Sequence, residues 1–222
     1  MATATKRVVF RGVPVDVVEG DLLVTRWKSY LSYFLGAFND GMSHVTTATA
    51  IDGQLVCVSP CPFDFKDAQG HVWKAGIDPR PMELLNDPAC LHLYLVRPAS
   101  PRTPEANVAA RLLCAQQIAE NKKHGSLYES GVGEFLVRAR GRPVVPNQPH
   151  TRDPRIQTYT WAQTTTQASF FGWAQATKKK FHCAEFAACL RRTAGLWPAK
   201  QTVSVTVPHL VKTVGGSCMR IF

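Results

Sequence analysis

The stretch Val45-Thr46-Thr47-Ala48-Thr49-Ala50-Ile51-Asp52-Gly53-Gln54-Leu55-Val56-Cys57-Val58 contains two β-prone runs separated by Asp-Gly. Val, Thr and Ile pack well on a pleated surface, and Asp-Gly supplies the two positive φ angles that a two-residue hairpin turn requires. With Ile51 and Gln54 flanking the turn, the register places His44 opposite Cys61 and diagonal to Ser59. Side chains alternate along a strand, so His44, Cys57, Ser59 and Cys61 share one face. The hairpin therefore decides which residues can approach His44.

Upstream of the hairpin, Val8 to Phe10 and Val15 to Val18 read as extended pieces around Pro14. Glu19-Gly20-Asp21 is a turn leading into Leu22 to Thr25. Trp27, Tyr30, Leu31, Phe34, Leu35 and Phe38 recur at helical spacing, predicting a helix from about Thr25 to about Phe38 that Asn39-Asp40-Gly41 stops.

Downstream, Cys90 to Arg97 reads as a strand closed by the cluster Pro98 to Pro104. Glu105 to Lys123 predicts a helix with Val108, Leu112, Ala115, Ile118 and Ala119 on its apolar face, ending before Gly125. Residues 138 to 156, rich in Pro and Arg, predict a long exposed loop. Lys200 to Val207 predicts a strand, and Pro208-His209-Leu210 opens a short last element.

Phe181-His182-Cys183-Ala184-Glu185-Phe186-Ala187-Ala188-Cys189-Leu190 carries the chemistry. A helix through Thr177 to Arg192, with Gly195 as its stop, has two possible starts. Thr177 is the better N-cap and would place Cys183 inside the helix, whereas a start at Phe181 or His182 would leave the thiol in the first turn, where the dipole favours a thiolate. Lys178, Lys179 and Lys180 add positive charge nearby. His182 is a poor partner for the thiol, because neighbours in a helix diverge by about 100°.

The 222 residues suffice for one buried core, and we read residues 1–222 as a single domain. Hydrophobic residues make up 45% and charged residues 19%, a balance that excludes disordered and collagen-like chains. The seven cysteines are odd in number and irregularly spaced, which predicts a reducing, cytoplasmic environment. No apolar run reaches the roughly 20 residues that a bilayer requires. Cys57, Cys61 and His71 lack the two close ligand pairs of a structural zinc site, and no Gly-rich phosphate loop is present, so no cofactor is expected. The net charge of +10 suits an anionic surface or nucleic acid, and equally a basic solvated face.

The order of Glu19-Gly20-Asp21-Leu22-Leu23-Val24, Ser43-His44-Val45, the Asp52-Gly53 hairpin, Val96-Arg97-Pro98, a helix, Phe181 to Phe186 and Ala194-Gly195-Leu196 resembles the circularly permuted papain-like amidases. These NlpC-like, YiiX-type cysteine hydrolases include bacterial and large-DNA-virus members and, more distantly, the lecithin:retinol acyltransferase group. The resemblance runs from about Glu19 to about Leu210. It implies an α+β fold with an antiparallel sheet packed on helices, permuted so that His precedes Cys, in a cytoplasmic protein (host cytoplasm or virion if viral). It also implies Cys183 as nucleophile and His44 as base, acting on a peptide, lipid or acyl substrate. The family places a polar residue on the strand after the histidine to orient the ring. Here that face offers only Ser59 as a hydroxyl, leaving Ser59, a nearby Asp64, a simple dyad or loss of activity as alternatives. Ala184 stands where the family has Ser or Thr, whereas Glu185 matches its pattern and also complements the helix dipole.

Overall fold

A computed structural model describes residues 3–28, 41–61, 64–67, 69–124, 182–198 and 205–222. The Asp52-Gly53 turn organises its main sheet. Asp52 (φ 49°) and Gly53 (φ 77°) both lie in the left-handed region. They join β4 (His44–Ile51) to β5 (Gln54–Cys61), paired from Ile51 opposite Gln54 to Thr47 opposite Val58. This is the register the sequence predicts.

β3 (Leu22–Trp27) and β9 (Cys90–Arg97) flank β4 on one side, and β8 (Gly76–Arg80) flanks β5 on the other. β10 (Ser217–Arg220) closes the far edge, giving a six-stranded antiparallel sheet of order β10-β9-β3-β4-β5-β8. Two small hairpins stand apart from it, β1 (Thr5–Phe10) with β2 (Val13–Val18), and β6 (Phe65–Lys66) with β7 (Val72–Trp73). The described residues thus form an α+β structure whose strand pairs are all antiparallel.

Both faces of the sheet are covered, so its central strands are buried throughout rather than alternating between core and solvent. One face carries Leu22, Val24, Val45, Val58 and Ile77 against α1 (Pro104–His124), α2 (Cys183–Thr193) and α3 (Val207–Val214). The other carries Leu23, Ala48, Cys57 and Leu93 against Val8, Phe10, Val15 and Val17 of the first hairpin. Close approach of α1 is possible because Gly76 has no side chain: a Cβ there would stand 2.2 Å from Oδ1 of Asn121.

Three expectations are corrected. The helix expected from Thr25 does not start there, because Thr25–Trp27 continue β3, with a register shift between Arg26 and Trp27 in its pairing to β9; residues 29–40 lie outside the described residues. α1 buries Ala106, Asn107, Ala110, Leu113, Cys114, Gln117 and Ile118 and leaves Val108 and Leu112 exposed. Its inner face is partly polar, so a search for an apolar stripe selects the wrong side. Val207 begins α3 rather than ending a strand, with Pro208 in the first turn, where its missing N–H costs nothing. The proposed loop at 138–156 and the lysines at 178–180 lie outside the described residues.

Candidate functional site

α2 starts at Cys183, with His182 as its N-cap. Its first intrahelical bond runs from the Phe186 N–H to the His182 carbonyl, so the amides of Cys183, Ala184 and Glu185 have no acceptor within the helix. At the other end, the Leu196 N–H donates to the Arg191 carbonyl and the Gly195 N–H to that of Arg192, stopping the helix at the predicted glycine. Of the two possible starts, the one that leaves the thiol in the first turn is found.

Hydrogen-bond alternation along β4 sets the direction of its amides. The Ala48 N–H donates to the Asp21 carbonyl, on the β3 side. In an antiparallel sheet, successive amides point to opposite neighbours, so those of Val45 and Thr47 point toward β5. The β4–β5 ladder ends at Thr47 opposite Val58; the next position facing Val45 would be Pro60, which has no N–H to complete a pair. Cys183 packs beside Val45 in the same core cluster, and the amides of Val45, Ala184 and Cys183 favour its thiolate. Cys183 is buried with Val45 and Val58 in the core on the helix-covered face of the sheet, the face opposite the one that carries His44.

His44 belongs to the other face of the strand, with Thr46 and Ala48, and its Nε2 lies 2.9 Å from the Ser59 hydroxyl. Ser59 is buried and pairs with Asp78 of β8. The ring's polar contact is therefore with Ser59 and not with the thiol. Asp64 is committed elsewhere, accepting from Lys74 Nζ at 2.9 Å and from the Ala75 N–H at 2.8 Å.

Arg80, which the sequence did not single out, completes the surroundings. Its Nη1 donates to the Cys61 sulfur at 3.0 Å and its Nη2 to the Lys74 carbonyl at 2.8 Å. The register could have found it, since Arg80 faces Cys57 and so lies on the His44 face. Burial lowers the pKa of His44 to about 4, with the Arg80 charge adding to the effect. Burial also pushes the Cys183 thiol up to about 11; the Val45 and Ala184 amides oppose that rise, and Cys61 adds to it. Both groups are therefore neutral near pH 7.

Cys57 and Cys61 share a face of β5, whereas the His71 ring lies tilted against Trp73 of the separate β6–β7 hairpin, with centroids 4.5 Å apart. Among the described residues, no three His, Cys, Asp or Glu side chains are grouped so that they could hold a metal ion. No helix among them is long and apolar enough to cross a membrane. In comparisons with known proteins, no family model, curated protein or solved structure matches this chain.

Proposed function

We propose that the protein is a cysteine-dependent hydrolase or acyltransferase of permuted papain-like type, acting on an amide, ester or thioester carbonyl. One observation carries this reading: Cys183 opens α2 and packs beside Val45, the residue that follows His44, while the His44 ring is held by Ser59.

The chemistry begins from a neutral pair. His44 takes the thiol proton as sulfur bonds to the carbonyl carbon, and the carbonyl electrons move onto oxygen. Amides in the first turn of α2, which have no acceptor within the helix, stabilise that oxyanion. When the tetrahedral species collapses, the leaving group departs with the proton from His44 and an acyl-Cys183 remains. Water or another acceptor then releases the acyl group by the same steps. Ser59, on the far nitrogen, orients the ring.

A second reading is a catalytically idle domain of the same type that binds an anionic partner through its basic surface. It is favoured by the raised thiol and lowered imidazole, which oppose formation of a thiolate–imidazolium pair. Incubation with an activated acyl thioester, followed by peptide mass mapping, separates the two. The catalytic reading expects acylation at Cys183 that is lost in Cys183→Ala and slowed at least tenfold in His44→Ala. No adduct at Cys183, or an unchanged rate in His44→Ala, overturns it.

A further inference from the structure

Away from the thiol, at the far end of α2, two arginines are buried with most of their donors unused. Arg102 is 4% exposed and Arg191 is 1% exposed. Nε, Nη1 and Nη2 of Arg102 have no hydrogen-bond partner, nor do Nε and Nη1 of Arg191. The remaining nitrogen of Arg191, Nη2, donates to the Ser100 carbonyl at 3.2 Å, two residues before Arg102. The Arg102 charge reaches Arg191 and disfavours its charged form, while Glu19 offsets only part of the burial of Arg102.

The nearest carboxylates along the chain are already engaged. The Arg102 side chain lies over Gly20, between Glu19 and Asp21. Glu19 is gripped by Arg111 and also accepts from the Ala50 N–H. Asp21 is held by Arg97 and accepts from the Val18 N–H. A last-turn arginine can complement a helix C-terminus, but that role accounts only for the bond to Ser100. Buried charges without partners cost several kcal/mol each, and buried donors are almost always satisfied.

We propose that Arg102 and Arg191 together bind a small tetrahedral oxyanion of the phosphate class in the buried corner between the Ser100–Arg102 loop, the Gly20 turn and the end of α2. A guanidinium presents a planar fork suited to two oxygens of one anion, and a tetrahedral dianion has oxygens enough for two forks and charge enough for two cations. A single carboxylate has neither. Burial of both side chains restricts the occupant to a free, compact ion. The bound ion ties the β9–α1 connection to α2.

The test uses protein dialysed into chloride buffer and titrated with sodium phosphate at constant ionic strength, read by thermal melting and by ³¹P NMR. With phosphate about 100-fold above its Kd, the melting temperature is expected to rise by roughly 5 to 10 °C. The ³¹P signal should report saturable binding of one phosphate per chain. Arg102→Met and Arg191→Met should each abolish both effects. If either variant does not fold, the phosphorus titration of the parent protein decides alone: saturable one-to-one binding supports the site, and its absence overturns it. An equal rise in melting temperature in the folded arginine variants also overturns it, by showing that phosphate acts on the protein generally.

Discussion

Ser59 Oγ stands 2.9 Å from Nε2 of His44 across the opening end of the β4–β5 hairpin. In the proposed cycle Ser59, held on Nε2, is a positioning residue for the His44 ring. A net hydrogen bond of about 0.5–1.5 kcal/mol corresponds to roughly 2- to 13-fold in rate. Ser59→Ala should therefore slow acylation of Cys183 within that range, and Ser59→Thr should restore part of it. An unchanged rate in Ser59→Ala would show that ring orientation is set elsewhere.

Burial of neutral His44 makes stability depend on pH. The folded protein holds the ring unprotonated down to about pH 4, whereas in the unfolded chain it titrates near its ordinary value of 6.5. Between those values the unfolded state binds more protons, so the contribution is complete above pH 6.5 and is lost as pH falls toward 4. The loss is at most about 3 kcal/mol. Urea unfolding at pH 7 and pH 4.5 should show a smaller loss in His44→Gln than in the parent protein, the difference isolating this ring from titrating carboxylates. Parallel pH profiles for the two proteins would mean that His44 titrates normally.

Local chemistry explains what the sequence made legible. Asp52-Gly53 has one favoured hairpin geometry, so the register followed from it, and with it the pairing of His44 with Ser59. Gly195 likewise marked the end of α2. The start of that helix was not legible, because Thr177 is a good cap by residue type and only the structure sets His182 there. The inner face of α1 was misread for a related reason: Asn107, Gln117 and Asn121 are buried despite their polarity, so hydrophobic periodicity points to Val108 and Leu112 instead. β10 was missed because Ser217–Arg220 is a short, exposed edge strand without an apolar pattern, identified as a strand only by its pairing with β9. Buried Arg102 and Arg191 were also invisible, since arginine is ordinarily a surface residue.

The Glu19–Arg111 pair joins the turn before β3 to α1. Arg111 Nε donates to Glu19 Oε1 at 2.8 Å, and the Ala50 N–H donates to the same oxygen at 3.2 Å. Burial alone would raise the Glu19 pKa, but Arg111 and the Ala50 and Ala4 amides outweigh it and hold the carboxyl below its ordinary value. Glu19 is the fully buried member, and Glu19→Ala removes the acceptor of both Arg111 and the Ala50 N–H, so it should cost about 3–5 kcal/mol in urea unfolding. A loss below about 1 kcal/mol would place the pair among weak surface ion pairs.

The Cys183 thiol supplies the most direct measurement of the site. Burial holds it at about 11 against the pull of three backbone amides, and the lowered imidazole offers no cation to draw it down. Iodoacetamide reacts with the thiolate, so alkylation of Cys183 should rise about tenfold per pH unit between pH 7 and 10, without levelling. Cys218 is exposed and should label earlier than Cys183 at pH 7. Peptide mapping across this range follows both cysteines in one sample. A plateau in Cys183 labelling already reached by pH 7 would reveal a thiolate–imidazolium pair in the resting protein. The catalytic cycle would then begin from an ion pair, and the neutral starting state derived from burial would be wrong.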